Sequence, residues 1–208
     1  MLPGTMTEAL YPPPPWRLRG TVQAALWRVP RAALPGPLPD GAKPLGWGRS
    51  ALLATVRADW QPGGDLAYGE LVVAVPVRLG WQIGITTTAA WVDSPAALAG
   101  GRTLWAIPKR LGRFETADGR TTLTDADGPV AAVTDRPGRP WPLRLPVPLR
   151  VLQPDAGGVR ITRAAATGRF RLGGPGWDFS PTGPLALLAG KRPLLALTLA
   201  DAEARFGL

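Results

Sequence analysis

Lysine is rare in this chain, and one lysine stands in a setting that suits chemistry. Among 24 Lys and Arg residues, the lysines are Lys43, Lys109 and Lys191. Lys109 lies in the stretch GRTLWAIPKRLGRF, residues 101–114, behind a proline and directly before Arg110. A lysine amine that has lost its proton attacks carbonyl carbons and forms imines. The setting raises the hypothesis of a reactive amine at position 109. The alternative is an ordinary lysine in a surface loop.

A carboxylate and a hydroxyl stand at the mouth of an apolar run. In YGELVVAVPV, residues 68–77, all positions from Leu71 to Val77 are apolar, which is typical of a strand buried on both faces. Side chains alternate along a strand, so Tyr68 and Glu70 point to the same face. Glu70 is therefore a candidate for proton transfer or substrate positioning, and Tyr68 for hydrogen bonding to the substrate. The alternative is that Glu70 marks the strand end and points to solvent.

The composition removes most other kinds of catalytic site. The chain has no cysteine, which excludes disulfides, thiol nucleophiles and cysteine-based zinc sites. It has no histidine, which removes the commonest general base and the commonest metal ligand. If the protein is an enzyme, its chemistry must come from lysine, carboxylates, hydroxyls or arginine, or from a group brought from outside.

The charge pattern and the N-terminus bear on partners and location. The formal net charge is +9, but the arginines are scattered from Arg17 to Arg205 without a block of like charge. Nucleic acid is therefore disfavoured as a partner. The N-terminus lacks the features of a signal peptide, and no run of about 18 apolar residues occurs. We expect no membrane association and a cytoplasmic location.

Short β-strands separated by Gly and Pro must position these side chains. Asp118-Gly119 predicts a two-residue hairpin turn, and a second turn at residues 125–128 continues it as a meander. A helix is predicted near residues 184–190, between Pro184 and Gly190. We predict an extended or disordered leader over 1–15 and a single mainly β domain, sandwich or closed barrel, over 16–208. The predicted strands are 20–29, 50–58, 67–78, 81–92, 102–107, 112–117, 120–125, 129–134, 143–150, 158–163, 167–172 and 194–200.

The strand predicted at 102–107 gives Lys109 apolar neighbours. If it continues into Lys109, the side chains of Trp105, Ile107 and Lys109 share one face, and Arg110 lies on the opposite face. Pro108 cannot donate to a sheet, so the strand must end, bulge or form an edge there. An unperturbed lysine has a pKa of about 10.4. Desolvation beside Trp105 and Ile107 would lower it and leave the amine nucleophilic.

Residues 68–114 resemble the acetoacetate decarboxylase family. The resemblance is carried by Gly-Arg followed by Pro-Lys in GRTLWAIPKRLGRF, by Tyr68-x-Glu70 with its apolar strand, and by WVDSP at 91–95. It implies a closed conical antiparallel β-barrel flanked by additional antiparallel sheet, usually in a homo-oligomer. It also implies decarboxylation of a small β-keto acid through an imine, and for this chemistry we expect neither a metal nor an organic cofactor.

The resemblance assigns a role to several residues. Lys109 takes the place of the imine-forming lysine, and Arg110 that of a neighbouring lysine that perturbs the amine. Glu70 takes the place of an active-site glutamate. Arg19, by an approximate count, corresponds to an arginine that would hold the substrate carboxylate.

Two departures from the family pattern leave other functions open. Thr103 stands where glutamate commonly follows Gly-Arg, and an ungapped count from Glu70 places Thr55 at a second active-site glutamate. One alternative is a Schiff-base aldolase or dehydratase that acts on a keto acid. The others are a barrel that binds a ligand without turnover and a basic barrel that binds nucleic acid.

Overall fold

A computed structural model describes residues 10–136, 138–141, 144 and 146–208 of the chain. It contains one α-helix, α1 (Pro95–Trp105), within these ranges, and short 3-10 turns at Arg31–Ala33 and Ala186–Leu188. No described helix has the length and apolar character needed to cross a membrane. The strands are β1 (Trp16–Pro30), β2 (Lys43–Pro44), β3 (Ser50–Gln61), β4 (Tyr68–Leu79), β5 (Gln82–Val92), β6 (Lys109–Leu111), β7 (Arg113–Ala117), β8 (Arg120–Asp125), β9 (Gly128–Thr134), β10 (Arg139–Pro140), β11 (Val147–Asp155), β12 (Gly158–Leu172), β13 (Gly176–Phe179) and β14 (Leu195–Phe206).

Seven of the described strands close into a barrel. Their order is β4-β3-β1-β14-β12-β11-β5, and β5 pairs with β4 to complete the ring. The pairings are antiparallel except between β11 and β5, which run parallel. The short strand β6 extends the ring by pairing in parallel with the other end of β5. Closure leaves one face of every barrel strand pointing inward, where side chains can surround a cavity.

A second antiparallel sheet packs against one side of the barrel. Its order is β13-β9-β8-β7. The apolar core between the two layers takes residues from the outward faces of β1, β3 and β4, such as Trp27, Leu53 and Val73, and from the second sheet, such as Val130 and Phe179. A separate apolar cluster fills part of the barrel. Strand β4 contributes to both clusters, which explains why its sequence is apolar on both faces.

The structure confirms the mainly β fold with a closed barrel and an additional sheet. The hairpin at Asp118-Gly119 is present, and both residues have positive φ. The strand predicted at 102–107 is wrong, because α1 occupies this stretch as far as Trp105. Ser94 caps the helix and Pro95 occupies its first turn, and both favour helix initiation.

Other elements differ from the prediction in extent. Only a 3-10 turn over Ala186–Leu188 forms in the helix predicted at 184–190. The strands predicted at 158–163 and 167–172 are one long strand, β12. Of the strand predicted at 143–150, residues 143 and 145 lie outside the described residues, and β11 begins at Val147.

The leader predicted over 1–15 falls partly outside the described residues, which begin at Leu10. Leu10 is exposed, but Tyr11 packs against the barrel cluster. The backbone oxygen of Pro12 accepts a hydrogen bond from the Trp16 indole at 2.8 Å. The end of the predicted leader therefore makes contacts with the barrel.

Candidate active site

A cavity of about 200 Å³ lies inside the barrel, and Lys109 and Glu70 are on its wall. The other polar or amphipathic side chains around it are Tyr68, Thr87, Trp16, Trp60, Trp105 and, at the solvent-exposed border, Arg205. The purely apolar lining residues come from all seven barrel strands and from the helix exit: Leu18, Val22, Val56, Val72, Ile85, Ile107, Val147, Leu149, Val151, Ala164, Ala165, Ala166, Ala204 and Phe206.

The end of α1 aims Lys109 into the barrel. Ala106 ends the helix in the left-handed conformation, and its N–H bonds back to the oxygen of Arg102. The chain then turns through Pro108 into β6, and the Arg102 side chain donates to the Lys109 backbone oxygen at 2.7 Å. These contacts fix the direction of the backbone at position 109. Lys109 is only 3% exposed.

The paired strands bring Glu70 and Lys109 to the same face. Glu70 in β4 lies opposite Val92 in β5, and Lys109 in β6 lies opposite Ala90 on the other edge of β5. The Lys109 Nζ lies 2.7 Å from Glu70 Oε1, and both side chains are largely buried. Two charges removed from water are stable only when they are paired, so this pair is a fixed feature of the interior.

Trp60 and Tyr68 hold the pair from the sides. The Trp60 indole N–H donates to Glu70 Oε2 at 3.2 Å, which leaves Oε1 for the lysine. The Lys109 Nζ lies 5.1 Å from the centre of the Tyr68 ring, within the range of a cation–π contact. Glu70 therefore has a partner for each oxygen, and the amine has an aromatic face beside it.

The predicted apolar neighbours of Lys109 line the same cavity as Lys109, although a helix and not a strand brings them there. Trp105 and Ile107 are buried and line the cavity. Arg110 points to the opposite side, where its guanidinium lies 5.4 Å from the centre of the Trp91 ring. Trp91 belongs to the core between the two layers. The Arg110 charge is thus separated from Lys109 by the sheet.

The structure does not bring Arg19 to the cavity. Its side chain is 60% exposed and bonds Glu203 at 2.9 Å on the outside of the barrel. The Arg19 guanidinium, by its hydrogen bond and its charge, lowers the pKa of the Glu203 carboxyl. Leu18, the preceding residue in β1, points inward instead.

Thr55 and Thr103 also lie away from the pair. Thr55 is buried in the interlayer side of β3, where its hydroxyl accepts a hydrogen bond from the Trp27 indole. A carboxylate at position 55 would point away from the cavity, and Val56 is the neighbouring inward residue. Thr103 lies on α1, where its backbone oxygen accepts a bond from Arg160. Neither Thr55 nor Thr103 therefore belongs to the group of side chains that surrounds Lys109.

Sequence reasoning missed Trp60, which contacts Glu70. The predicted strand ended at residue 58, but β3 continues to Gln61. Side chains alternate along a strand, so Trp60 lies on the same face as Ala58. A predicted strand two residues longer would therefore have placed the indole on the cavity face. No group of three or more acidic side chains, of the kind that could hold a metal ion, occurs in the described ranges.

Gly101 leaves room for the side chain of Lys109, and replacing Gly101 is expected to displace the Lys109 amine. A Cβ at position 101 would lie 2.5 Å from Lys109 Cδ and 2.6 Å from Cε. Gly101→Ala must push the lysine chain aside, while the added Cβ favours the helix itself. We expect folding to persist and the reaction of Lys109 with carbonyl compounds to slow by about 100-fold. Reaction rates and thermal melts of the purified variant test this.

Gly157→Ala is the matched control, since no atom lies within 4 Å of a Cβ built there. It should react at the wild-type rate. A Gly101→Ala protein that is folded and equally reactive would show that the closeness of Gly101 to the lysine has no chemical consequence.

Tyr68 is expected to keep its proton at high pH. Burial raises the pKa of the Tyr68 phenol well above its usual value of 10.0, and the charge of Glu70 and the hydrogen bond that the Glu70 carboxylate accepts from the phenol add to the rise. The folded protein holds this proton more tightly than the unfolded chain. The resulting stability is therefore complete below a pH of about 10 and is lost as the pH rises through the folded pKa.

The chain has two tyrosines, so absorbance titration of the phenols can test this directly. Compared with wild type, Tyr68→Phe should lose a phenol that ionises late or only on alkaline unfolding. Loss of a phenol that ionises near pH 10 in the native protein would contradict the buried setting.

Comparisons with known proteins identify the family of this chain and solved structures with a similar fold. The model of the acetoacetate decarboxylase (ADC) family matches residues 1–140. The acetoacetate decarboxylase of Chromobacterium violaceum is 30% identical over 138 residues, which make up 64% of this chain and 54% of that protein. The chain thus spans about half the length of this curated relative.

Two solved structures share the fold. Acetoacetate decarboxylase from Legionella pneumophila superposes with a TM-score of 0.66 at 19% identity, covering 98% of this chain and 89% of that chain. The enduracididine biosynthesis enzyme MppR, complexed with the condensation product of pyruvate and imidazole 4-carboxaldehyde, gives a TM-score of 0.64 at 18% identity, covering 97% and 90%. At these identities the likeness concerns the fold.

Proposed function

The chain belongs to the acetoacetate decarboxylase family, and from this premise we propose that it is a Schiff-base lyase that decarboxylates a β-keto acid through an imine on Lys109. The observation that carries the proposal is the buried pair, in which Lys109 Nζ lies 2.7 Å from Glu70 Oε1 on the wall of an apolar cavity. At this distance a proton passes directly between the amine and the carboxylate. The pair thereby gives the amine a route to its nucleophilic form.

The reaction begins when Glu70 takes a proton from the Lys109 amine. The neutral amine attacks the keto carbon and a C–N bond forms; the keto oxygen takes one proton from the attacking nitrogen and the proton held by Glu70, and leaves as water. The protonated imine then accepts the electron pair of the bond to the carboxylate, so carbon dioxide leaves and an enamine remains. The enamine carbon then takes a proton from Glu70, which has been protonated again by water. Water hydrolyses the imine, which releases the ketone and restores the amine.

Trp60 and Tyr68 are positioning groups in this scheme. The Trp60 indole fixes Glu70 Oε2, so that Oε1 faces the amine. The Tyr68 phenol donates its one proton to Glu70, so it also holds this carboxylate, and its lone pairs remain to accept a hydrogen bond from the substrate. Arg19 has no role in the scheme, since its side chain lies outside the barrel. A single domain over 16–208, homo-oligomeric assembly and a cytoplasmic location belong to the same proposal.

Aldol-type condensation or dehydration on a keto acid is a second candidate. MppR, which shares the fold, was solved with a condensation product of pyruvate and an aldehyde. An imine of pyruvate on Lys109 would tautomerise to an enamine. The enamine carbon would then attack the carbonyl carbon of an aldehyde.

The two candidates differ in their products, and one experiment separates them. Purified protein is given a panel of β-keto acids in one series and pyruvate with an aldehyde in the other, and carbon dioxide and condensation product are quantified. We expect carbon dioxide from the first series above the spontaneous rate, and none above that rate from Lys109→Met. Condensation product without carbon dioxide would overturn decarboxylation and favour the second candidate.

A further inference from the structure

We propose that the substrate is a β-keto acid whose keto carbon carries an apolar tail of several carbons, and that this tail lies against the barrel wall opposite Glu70. This inference rests on the proposed function and specifies its substrate class. It departs from the small keto acid that the family resemblance implies. Three features of the cavity carry it: where its polar groups lie, where its walls recede, and which charges it lacks.

Apart from Arg205 of β14, which is exposed at the border, the charged and hydroxyl groups of the cavity are concentrated on one side. Glu70 and Tyr68 are on β4, Thr87 is on β5, and Lys109 is on β6 beside β5. The Trp60 indole N–H is engaged by Glu70. A carbonyl compound bound to Lys109 therefore has its reacting atoms on this side, and the rest of the molecule must face apolar walls.

The wall opposite β4 recedes because it is lined with alanine. In the order of the barrel, β12 and β14 are the strands farthest from β4. Ala166 of β12 and Ala204 of β14 are paired across these strands, and both line the cavity, as does Ala164. Small side chains on this wall take up little of the cavity that Lys109 also lines. Trp105 and Phe206, with ring centres 4.5 Å apart, add aromatic surface to this space.

The cavity provides little for the carboxylate of a small keto acid. Among the described residues that line it, the cations are Lys109, already paired with Glu70, and Arg205, exposed at its border. A carboxylate that leaves water without a partner is strongly disfavoured. Affinity must therefore come from burial of apolar surface, which a tail provides and acetoacetate, with a single methyl group, provides poorly.

The test is a homologous series with the intact protein. Carbon dioxide release is measured with 3-oxobutanoate, 3-oxopentanoate, 3-oxohexanoate, 3-oxo-octanoate and 3-oxo-3-phenylpropanoate. We expect kcat/KM to rise by about fourfold for each added methylene until the space is filled, which corresponds to about 0.8 kcal/mol per group. Ala166→Leu should abolish the gain for the longer acids, so that kcat/KM no longer rises with chain length. Ala117→Leu, the same change at an exposed position of β7, should behave as wild type.

A second readout separates this inference from the proposed function. The ketones that correspond to each acid are incubated with borohydride, and the mass added at Lys109 is measured. Adducts with a kcat/KM that is flat or highest for 3-oxobutanoate would overturn the apolar tail and leave the lyase standing. No adduct on Lys109 with any ketone or acid would overturn the lyase, and the substrate class with it.

Discussion

Replacing Lys109 with methionine is expected to abolish imine formation and to lower the rate of decarboxylation by roughly 10⁴-fold or more. Methionine keeps the apolar contacts of the lysine chain beside Gly101 and Tyr68 but has no amine. Without a nucleophile the cavity can bind the substrate but has no group to accept the electron pair of the breaking bond. Carbon dioxide release by the purified variant, with the spontaneous rate subtracted, measures the effect.

The control for Lys109→Met must separate lost chemistry from lost folding. The variant leaves the Glu70 carboxylate buried without its cation, a change that costs about 3–5 kcal/mol of folding free energy. The double variant Lys109→Met with Glu70→Gln removes both charges and restores a neutral interior. We expect the double variant to fold and to be equally inactive. Lys43→Met, at an exposed lysine, should keep full activity. A folded double variant that still releases carbon dioxide would contradict the role of Lys109.

Glu70→Gln is expected to lower kcat by about 10²- to 10⁴-fold, the usual contribution of a general acid–base group. The amide has nearly the shape of the carboxylate but cannot take the proton from the amine. It also offers one acceptor oxygen where Glu70 now serves both the Trp60 indole and the lysine. One of these two donors therefore loses its partner. Single-turnover rates of imine formation and of carbon dioxide release measure which step slows.

Glu203→Gln is the matched control for Glu70→Gln, since Glu203 is an exposed glutamate paired with Arg19. It should leave both rates unchanged. Thermal melts of the two variants show whether the Glu70 protein is folded under assay conditions. If folded Glu70→Gln retained the wild-type kcat and pH profile, Glu70 would be a structural partner of the lysine and not its base.

The family resemblance brought Lys109 and Glu70 forward, and local patterns predicted part of their placement. Alternation in a strand placed Tyr68 and Glu70 on one face, and both line the cavity. The opposite orientations of Lys109 and Arg110 also follow from adjacent positions in a strand, which β6 provides. The stretch before it was assigned to the wrong element. Ala106 in a left-handed helix cap, not a continuous strand, directs the chain toward the cavity.

The sequence could not predict features of the site that depend on which strands pair with each other. The count that placed Thr55 at a glutamate position could not show that its side chain lies on the interlayer face. Strand β5 has an extra residue against β4, between Thr87 and Ala89, so inward positions shift from odd to even numbers along it. The pairing of Ala166 with Ala204 joins strands about forty residues apart in sequence. Such contacts come from barrel closure, which no local pattern contains.

The measurement that tests the central claim most directly is the site of covalent modification by a keto acid. The protein is incubated with a β-keto acid and borohydride, digested, and its lysine-containing peptides are sequenced by mass spectrometry. We expect the reduced adduct on Lys109, with Lys43 and Lys191, which are both exposed, left unmodified. An adduct that forms on the exposed lysines while Lys109 stays unmodified would contradict the account.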